Sequence, residues 1–270
     1  MLKINRLIKT FAPGTVNEVR ALRDVSLQIE KGSFTAVIGT NGSGKSTLLN
    51  AVAGSFVPDS GSIQLFDKNI TSWSEHKRAS LVGRVFQNPF AGTAAGMTIA
   101  ENIALAMRRG KRWSLTMAIN SKVREEIAER VKTLKMGLED RLDNPIGTLS
   151  GGQRQALTLL MATWLRPHLL LLDEHTAALD PKTAAKVAEI TREIITRDKL
   201  TALMVTHSMQ QAVDLPDRII MMHRGRIVED FRDEMKARVR VANLIEAFER
   251  VQKLDLFDHS VAEVLQQQYV

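Results

Sequence analysis

Apolar positions at the start of the chain fall in short runs rather than at helical spacing. Residues 2–7 and 22–29 read as strands, and a turn at Glu30, Lys31 and Gly32 leads into an apolar run at 34–38 that reads as a buried strand. Residues 46–53 contain no helix breaker and read as a helix. Further strands are expected at 62–67 and 81–86, where apolar content is flanked by turn residues. From about 98 to 136 the pattern is mainly helical, with Val123, Ile127, Val131 and Leu134 recurring three or four residues apart among charges. Strand and helix alternate again at 169–173, 182–197, 201–206 and 219–223, the pattern of a parallel sheet covered by helices. Gly225 separates the last of these from 226–228 and suggests a hairpin at the sheet edge. Beyond Phe231 the chain is strongly charged and carries two amphipathic segments, read as helices packed on the domain. One holds Leu244, Ile245, Phe248 and Val251, the other Val261, Val264 and Leu265.

Composition narrows this picture. The 270 residues suffice for one large α/β domain with an insertion or for two small domains, and 44% apolar with 25% charged residues is ordinary for a folded protein. No stretch approaches the roughly 18 to 20 uninterrupted apolar residues that span a bilayer. The opening Met1-Leu2-Lys3-Ile4-Asn5-Arg6 lacks the apolar core of a signal peptide, so the chain is expected to stay where it is made. It has no cysteine, which excludes disulfides, thiol chemistry and Cys-based metal sites. A net charge of +7 favours an anionic contact, and nucleic acid, lipid headgroups and nucleotide phosphates all fit it.

Three local patterns carry chemistry. Gly39-Thr40-Asn41-Gly42-Ser43-Gly44-Lys45-Ser46-Thr47 follows a predicted strand and opens a predicted helix, the context of a phosphate-binding loop. Gly39, Gly42 and Gly44 allow close backbone approach, Lys45 supplies a charge to the β- and γ-phosphates, and Ser46 can place its hydroxyl on Mg²⁺. A nucleoside triphosphate is expected here. The run Leu169-Leu170-Leu171-Leu172-Asp173 delivers a carboxylate to the C-terminal end of a buried strand, where Asp173 can hold Mg²⁺ through water. Glu174 beside it is the natural general base for an attacking water. Leu149-Ser150-Gly151-Gly152-Gln153 precedes a helical stretch, so Ser150 is a good N-cap and the two glycines are expected to expose N–H groups as a second anion site.

Together these motifs resemble, over residues 1 to about 230, the ATP-binding subunits of ABC transporters. The resemblance implies a P-loop NTPase cassette of the α/β class. Its parts would be a RecA-like parallel-sheet core, an N-terminal antiparallel β subdomain, a helical subdomain inserted at about 90–165 and a helical extension at 231–270. It also implies that the Ser150–Gln153 signature closes over the γ-phosphate held by a partner subunit. Gln87 matches the glutamine that touches Mg²⁺ and couples nucleotide to a transmembrane partner, Asp180 the loop that communicates across the dimer, and His207 the switch histidine at the γ-phosphate. Phe11 holds the place of the aromatic that stacks on adenine, where Tyr is usual. His175 stands where proline commonly follows the Asp-Glu pair and receives no catalytic role.

The expected partners are a second copy of the chain, head to tail, and transmembrane permease subunits, with the cassette cytoplasmic and peripheral to the inner face of the membrane. A single cassette without fused spans resembles bacterial importers that work with a solute-binding protein. Residues 173–182 and 204–211 resemble those of tryptophan- or tyrosine-type uptake systems. No nucleic acid is expected. The competing reading is a soluble ABC-type ATPase acting on nucleic acid or ribosomes, and a third is a regulatory module without turnover.

Overall fold

Two sheets of different kind divide the work of the N-terminal and central residues. The computed structural model describes residues 1–110, 119–251 and 253. Strands β1 (Leu2–Phe11) and β2 (Val19–Ile29) form an antiparallel pair. Next in the chain come β3 (Phe34–Gly39), helix α1 (Lys45–Ala53), and β4 (Ser60–Leu65) with its short partner β5 (Lys68–Asn69). The first sheet has the order β2-β1-β4-β5 and is antiparallel throughout. Both opening strands run longer than their apolar patterns predicted. Register shifts between Ile4 and Thr10, with Arg6 at φ 45, break the alternation that a flat strand would show.

After α2 (Glu75–Arg78) and β6 (Val82–Val85) the chain enters the helical part, α3 (Ile99–Met107), α4 (Ser121–Lys132) and α5 (Gly151–Thr163). It then alternates through β7 (Leu169–Asp173), α6 (Pro181–Asp198), β8 (Ala202–Val205), α7 (Met209–Asp214), β9 (Arg218–His223), β10 (Arg226–Phe231) and α8 (Asp233–Arg238). The second sheet has the order β10-β9-β3-β8-β7-β6, parallel except for the β9–β10 hairpin that turns at Gly225. Short elements without an apolar signature of their own, β5, α2 and α7, were not legible in the pattern.

The continuous apolar runs are explained by burial on both faces. Leu170 and Leu172 of β7 join one core with α3 to α6, while Leu169 and Leu171 face the opposite core with α1 and the first sheet. Ala36 and Val37 divide in the same way on β3, and Met204 and Leu203 on β8. Ile127, Val131 and Leu134 are fully buried, so the predicted helical face of the inserted region meets the core. Thr98 and Asn120 cap α3 and α4 through side-chain oxygens.

Residues 241–251 are helical. Leu244 and Ala247 are buried in the main core and Phe248 and Val251 pack against it. Ile245, expected on the same apolar face, is instead 47% exposed, because it follows Leu244 by one position and helical rotation carries it away. The segment with Val261, Val264 and Leu265 lies outside the described residues. Among the described residues no helix is long and apolar enough to cross a membrane.

Candidate functional site

The parallel order brings the ends of β3, β7 and β8 side by side, and the sequence motifs leave from those ends. At the close of β3, Gly39 admits no side chain, since a Cβ would sit 2.3 Å from the Met222 carbonyl oxygen and 2.5 Å from Ser43 Oγ. Gly44 is left-handed (φ 101) and would drive a Cβ to 2.5 Å from the Ala21 carbonyl. It is the N-cap of α1 without a side-chain cap, so the first-turn N–H groups of Lys45, Ser46 and Thr47 have no intrahelical acceptor. Asn41, Gly42 and Ser46 are exposed, Thr47 half-buried. The loop is braced by Ser43 N–H donating to Thr40 at 3.2 Å and by Gly225 N–H donating to the Ser43 carbonyl at 3.0 Å. Gly225 thus ties the edge hairpin to the phosphate loop, a tie that its turn propensity did not announce.

Lys45 is buried, and its ammonium donates to the carbonyls of Gly39 and Thr40, each at 2.9 Å. Burial lowers its pKa, opposed in part by the charge of Glu174. Ser43 Oγ is buried with no hydrogen-bond partner. An N–H cradle, a buried cation held only by carbonyl dipoles and an orphaned hydroxyl are what a polyphosphate completes.

Asp173 ends β7, and Glu174 follows in a left-handed conformation (φ 44), its N–H donating to the Val205 carbonyl of β8 at 2.9 Å. Glu174 Oε2 accepts from Gln87 Nε2 at 3.0 Å, and its Oε1 lies 2.5 Å from His207 Nε2. Residues drawn from positions 87, 174 and 207 therefore meet at one carboxylate. Asp173 pairs at 3.3 Å with Arg84, which also donates to Asn50 at 2.6 Å. Arg84 was not singled out from the sequence, since its partner lies 89 positions away.

Ser150 caps α5 as expected, and the cap is reciprocal. Its Oγ accepts from Gln153 N–H and Gln153 Oε1 accepts from Ser150 N–H, each at 3.3 Å. The two glycines differ. Gly151 is exposed, but Gly152 is buried, and a Cβ there would fall 2.0 Å from Thr183 Cγ2. Gly152 also brings α5 close to α6, a packing role beside the N–H role expected of it. Asp180 caps α6 by accepting from Thr183 N–H at 3.1 Å, so Thr183 touches both motifs.

Phe11 is 40% exposed and packs edge-on against Phe56 with centroids 5.5 Å apart, with Lys9 Nζ a similar distance from both rings. His175 is buried and its Nε2 lies 3.0 Å from Thr191 Oγ1. Burial pushes its pKa down to about 4, a neutral structural histidine.

Ser46, Gln87 and Asp173 offer a hydroxyl, an amide and a carboxylate, the hard oxygen donors that suit Mg²⁺ beside phosphate oxygens. Gln87 is engaged with Glu174 through its Nε2 and Asp173 with Arg84 through its Oδ2, contacts that leave an oxygen of each group as the donor.

Comparison with known proteins agrees with the site. The sequence profile described as ABC transporter matches residues 22–177. A tyrosine transport ATP-binding protein of Clostridioides difficile is 42% identical over 92% of this chain and 99% of its own length. A methionine import ATP-binding protein of Bacillus cereus is 33% identical over 85% of this chain and 66% of its own. Among solved structures, an ABC transporter cassette in its ADP conformation superposes with a TM-score of 0.76 at 26% identity, covering 93% of this chain and 97% of that one. A dimeric post-hydrolysis cassette bound to ADP and Pi superposes with a TM-score of 0.72 at 27% identity, covering 86% and 98%. Motif order, sheet topology and these likenesses converge: the chain belongs to the ABC transporter family and is one of its ATP-binding, ATP-hydrolysing cassettes.

Proposed function

We propose that two copies of this cassette pair head to tail around two ATP molecules and drive a separate membrane permease that imports a small solute such as an amino acid. The observation that carries the reading is the convergence of Gln87 and His207 on Glu174, beside a phosphate loop whose lysine is hydrogen-bonded to the carbonyls of Gly39 and Thr40. Lys45 and the loop from Gly39 to Thr47 bind and orient the phosphates. Phe11 stacks on the base. Glu174 takes the proton of the attacking water, and His207, touching the same carboxylate, steadies the γ-phosphate. Ser46, Gln87 and Asp173 would hold Mg²⁺, which when bound neutralises phosphate charge.

The exposed Ser150 and Gly151, with Gln153 and Asp180, meet the nucleotide held by the second copy. A single chain carries one set of these motifs, so each needs its counterpart from elsewhere. A cavity of about 320 Å³ lined by Phe86, Gly92, Ala94, Leu105, Arg109 and Met161 lies beside the Gln87 loop and forms the permease-facing groove. Import of an amino acid, with a solute-binding protein delivering it, is supported by the relative named for tyrosine transport. The cassette then sits on the cytoplasmic face of the membrane. The reading on nucleic acid or ribosomes has no such support, since the named relatives belong to transport systems.

Glu174→Gln is the test. It keeps nucleotide affinity, accumulates as an ATP-bound dimer and loses on the order of 10²-fold or more in turnover. Wild-type hydrolysis in that variant refutes the role of Glu174, and a strictly monomeric ATP complex refutes the pairing.

A further inference from the structure

A second set of contacts joins the two loops that carry Glu174 and His207. These loops leave neighbouring parallel strands, with Asp173 of β7 opposite Val205 of β8. Two residues past Glu174, the buried Thr176 donates its hydroxyl to Gln211 Oε1 at 3.0 Å. One residue before His207, the buried Thr206 turns its hydroxyl to the same oxygen at 3.5 Å, a longer contact, and accepts from Ser208 N–H at 3.0 Å. Ser208 in turn caps α7 by accepting from Gln211 N–H at 3.3 Å.

An amide oxygen has two lone pairs and so serves two hydroxyl donors at once. Here the donors come one from each loop, and the amide that receives them is fixed by its own backbone to the loop of His207. The arrangement matters because the Glu174–His207 contact depends on the spacing of two loop segments, and Glu174 is held in a left-handed conformation that a free loop would relax. A misplacement of about 1 Å at a reacting group costs on the order of 10²-fold in rate.

We infer that Gln211 is a positioning residue for ATP hydrolysis, its side-chain oxygen clamping Thr176 to Thr206 so that Glu174 and His207 stay in register. The inference rests on the catalytic reading of Glu174 given above. The hydrogen bonds of the Gln211 side chain go to Thr176 and Thr206, and it acts through these two threonines.

The test is steady-state ATP hydrolysis by the full chain carrying Gln211→Leu, Gln211→Glu, Thr176→Val and the Thr176→Val/Gln211→Leu pair, with thermal unfolding of each. Gln211→Leu, which removes the acceptor, lowers kcat about tenfold or more while KM for ATP moves less than about threefold, because the Lys45 loop is untouched. Gln211→Glu retains a two-site acceptor and recovers most of the lost turnover. The double variant is no slower than Gln211→Leu alone, since both changes break one clamp. Wild-type kcat in Gln211→Leu overturns the inference, as do losses that multiply in the double variant or that merely follow the folded fraction. Should Gln211→Leu fail to fold, Thr176→Val decides, with an unchanged kcat again overturning it. Full turnover in Glu174→Gln is a different result, which removes the catalytic reading rather than the clamp.

Discussion

His175 Nε2 and Thr191 Oγ1 meet at 3.0 Å in a fully buried space between the Asp173–Glu174 turn and α6. Thr191 gives its proton to the Val187 carbonyl at 2.8 Å, so the imidazole donates through Nε2, and burial keeps the ring neutral. Burial lowers the pKa from 6.5 to about 4, and between those values the unfolded chain binds a proton that the native chain refuses. Stability from this group is therefore complete at neutral pH and declines as pH falls below about 6.5. By pH 4 the loss totals about 3 kcal/mol. Urea unfolding of His175→Gln and of the wild-type chain at pH 7 and at pH 4.5 checks this. The variant keeps a donor for Thr191, and its relative stability improves at the lower pH; an unchanged difference between the two proteins contradicts the assignment.

Arg78 is buried completely, and its guanidinium donates to the carbonyls of Thr71, Trp73, Ala51 and Val52 at 2.6–2.9 Å. Ala51 and Val52 belong to the last turn of α1, the helix that follows the phosphate loop, so a cation there also complements the helix dipole. Burial lowers its pKa to about 10, which leaves it charged at neutral pH. Arg78→Met is expected to cost about 3 kcal/mol or more, since buried carbonyls lose their donor. Arg78→Lys recovers little, because a single ammonium cannot fan out to four carbonyls. Chemical denaturation of the three proteins gives the comparison.

Gly152 offers no room for a methyl group against Thr183. Gly152→Ala forces the Thr183 side chain out of its rotamer or α5 away from α6 and is expected to cost about 1–3 kcal/mol of strain. It also lowers ATP turnover while nucleotide affinity of the monomer is kept, because the phosphate loop lies elsewhere. Pairing Gly152→Ala with Thr183→Ser, which removes the obstructing methyl, restores part of both; no recovery in the pair means that the clash is not the cause.

Lys45 provides a pH signature for nucleotide binding. Burial lowers its pKa below the ordinary 10.5, and a bound triphosphate raises it again, so binding draws in a proton where the free protein has lost one. ATP affinity should weaken as pH rises through the alkaline range, beginning below 10.5. Calorimetric titration in buffers of different ionisation enthalpy reads the proton uptake. Lys45→Met binds weakly at every pH and lacks the uptake, and persistent uptake in that variant assigns the proton to another group.

The phosphate loop, the Ser150–Gln153 cap and the Asp173–Glu174 pair were legible because each is a local object. Strand, glycine turn and helix occupy adjacent positions, and spacing along a few residues fixes which N–H groups and carboxylates can share a place. The alternation of β7, α6 and β8 was legible for the same reason, since burial of a strand on both faces writes a continuous apolar run into the sequence. Tertiary structure alone decided that Gln87 and His207 would close on one carboxylate of Glu174, that Arg84 would hold Asp173, and that Gln211 would join two threonines 30 positions apart in the chain. It also decided that Gly152 would lie against the Thr183 side chain. Such contacts depend on the order in which strands assemble, and strand order is set by the burial of two opposed cores, a property of the whole chain that no short window of residues carries.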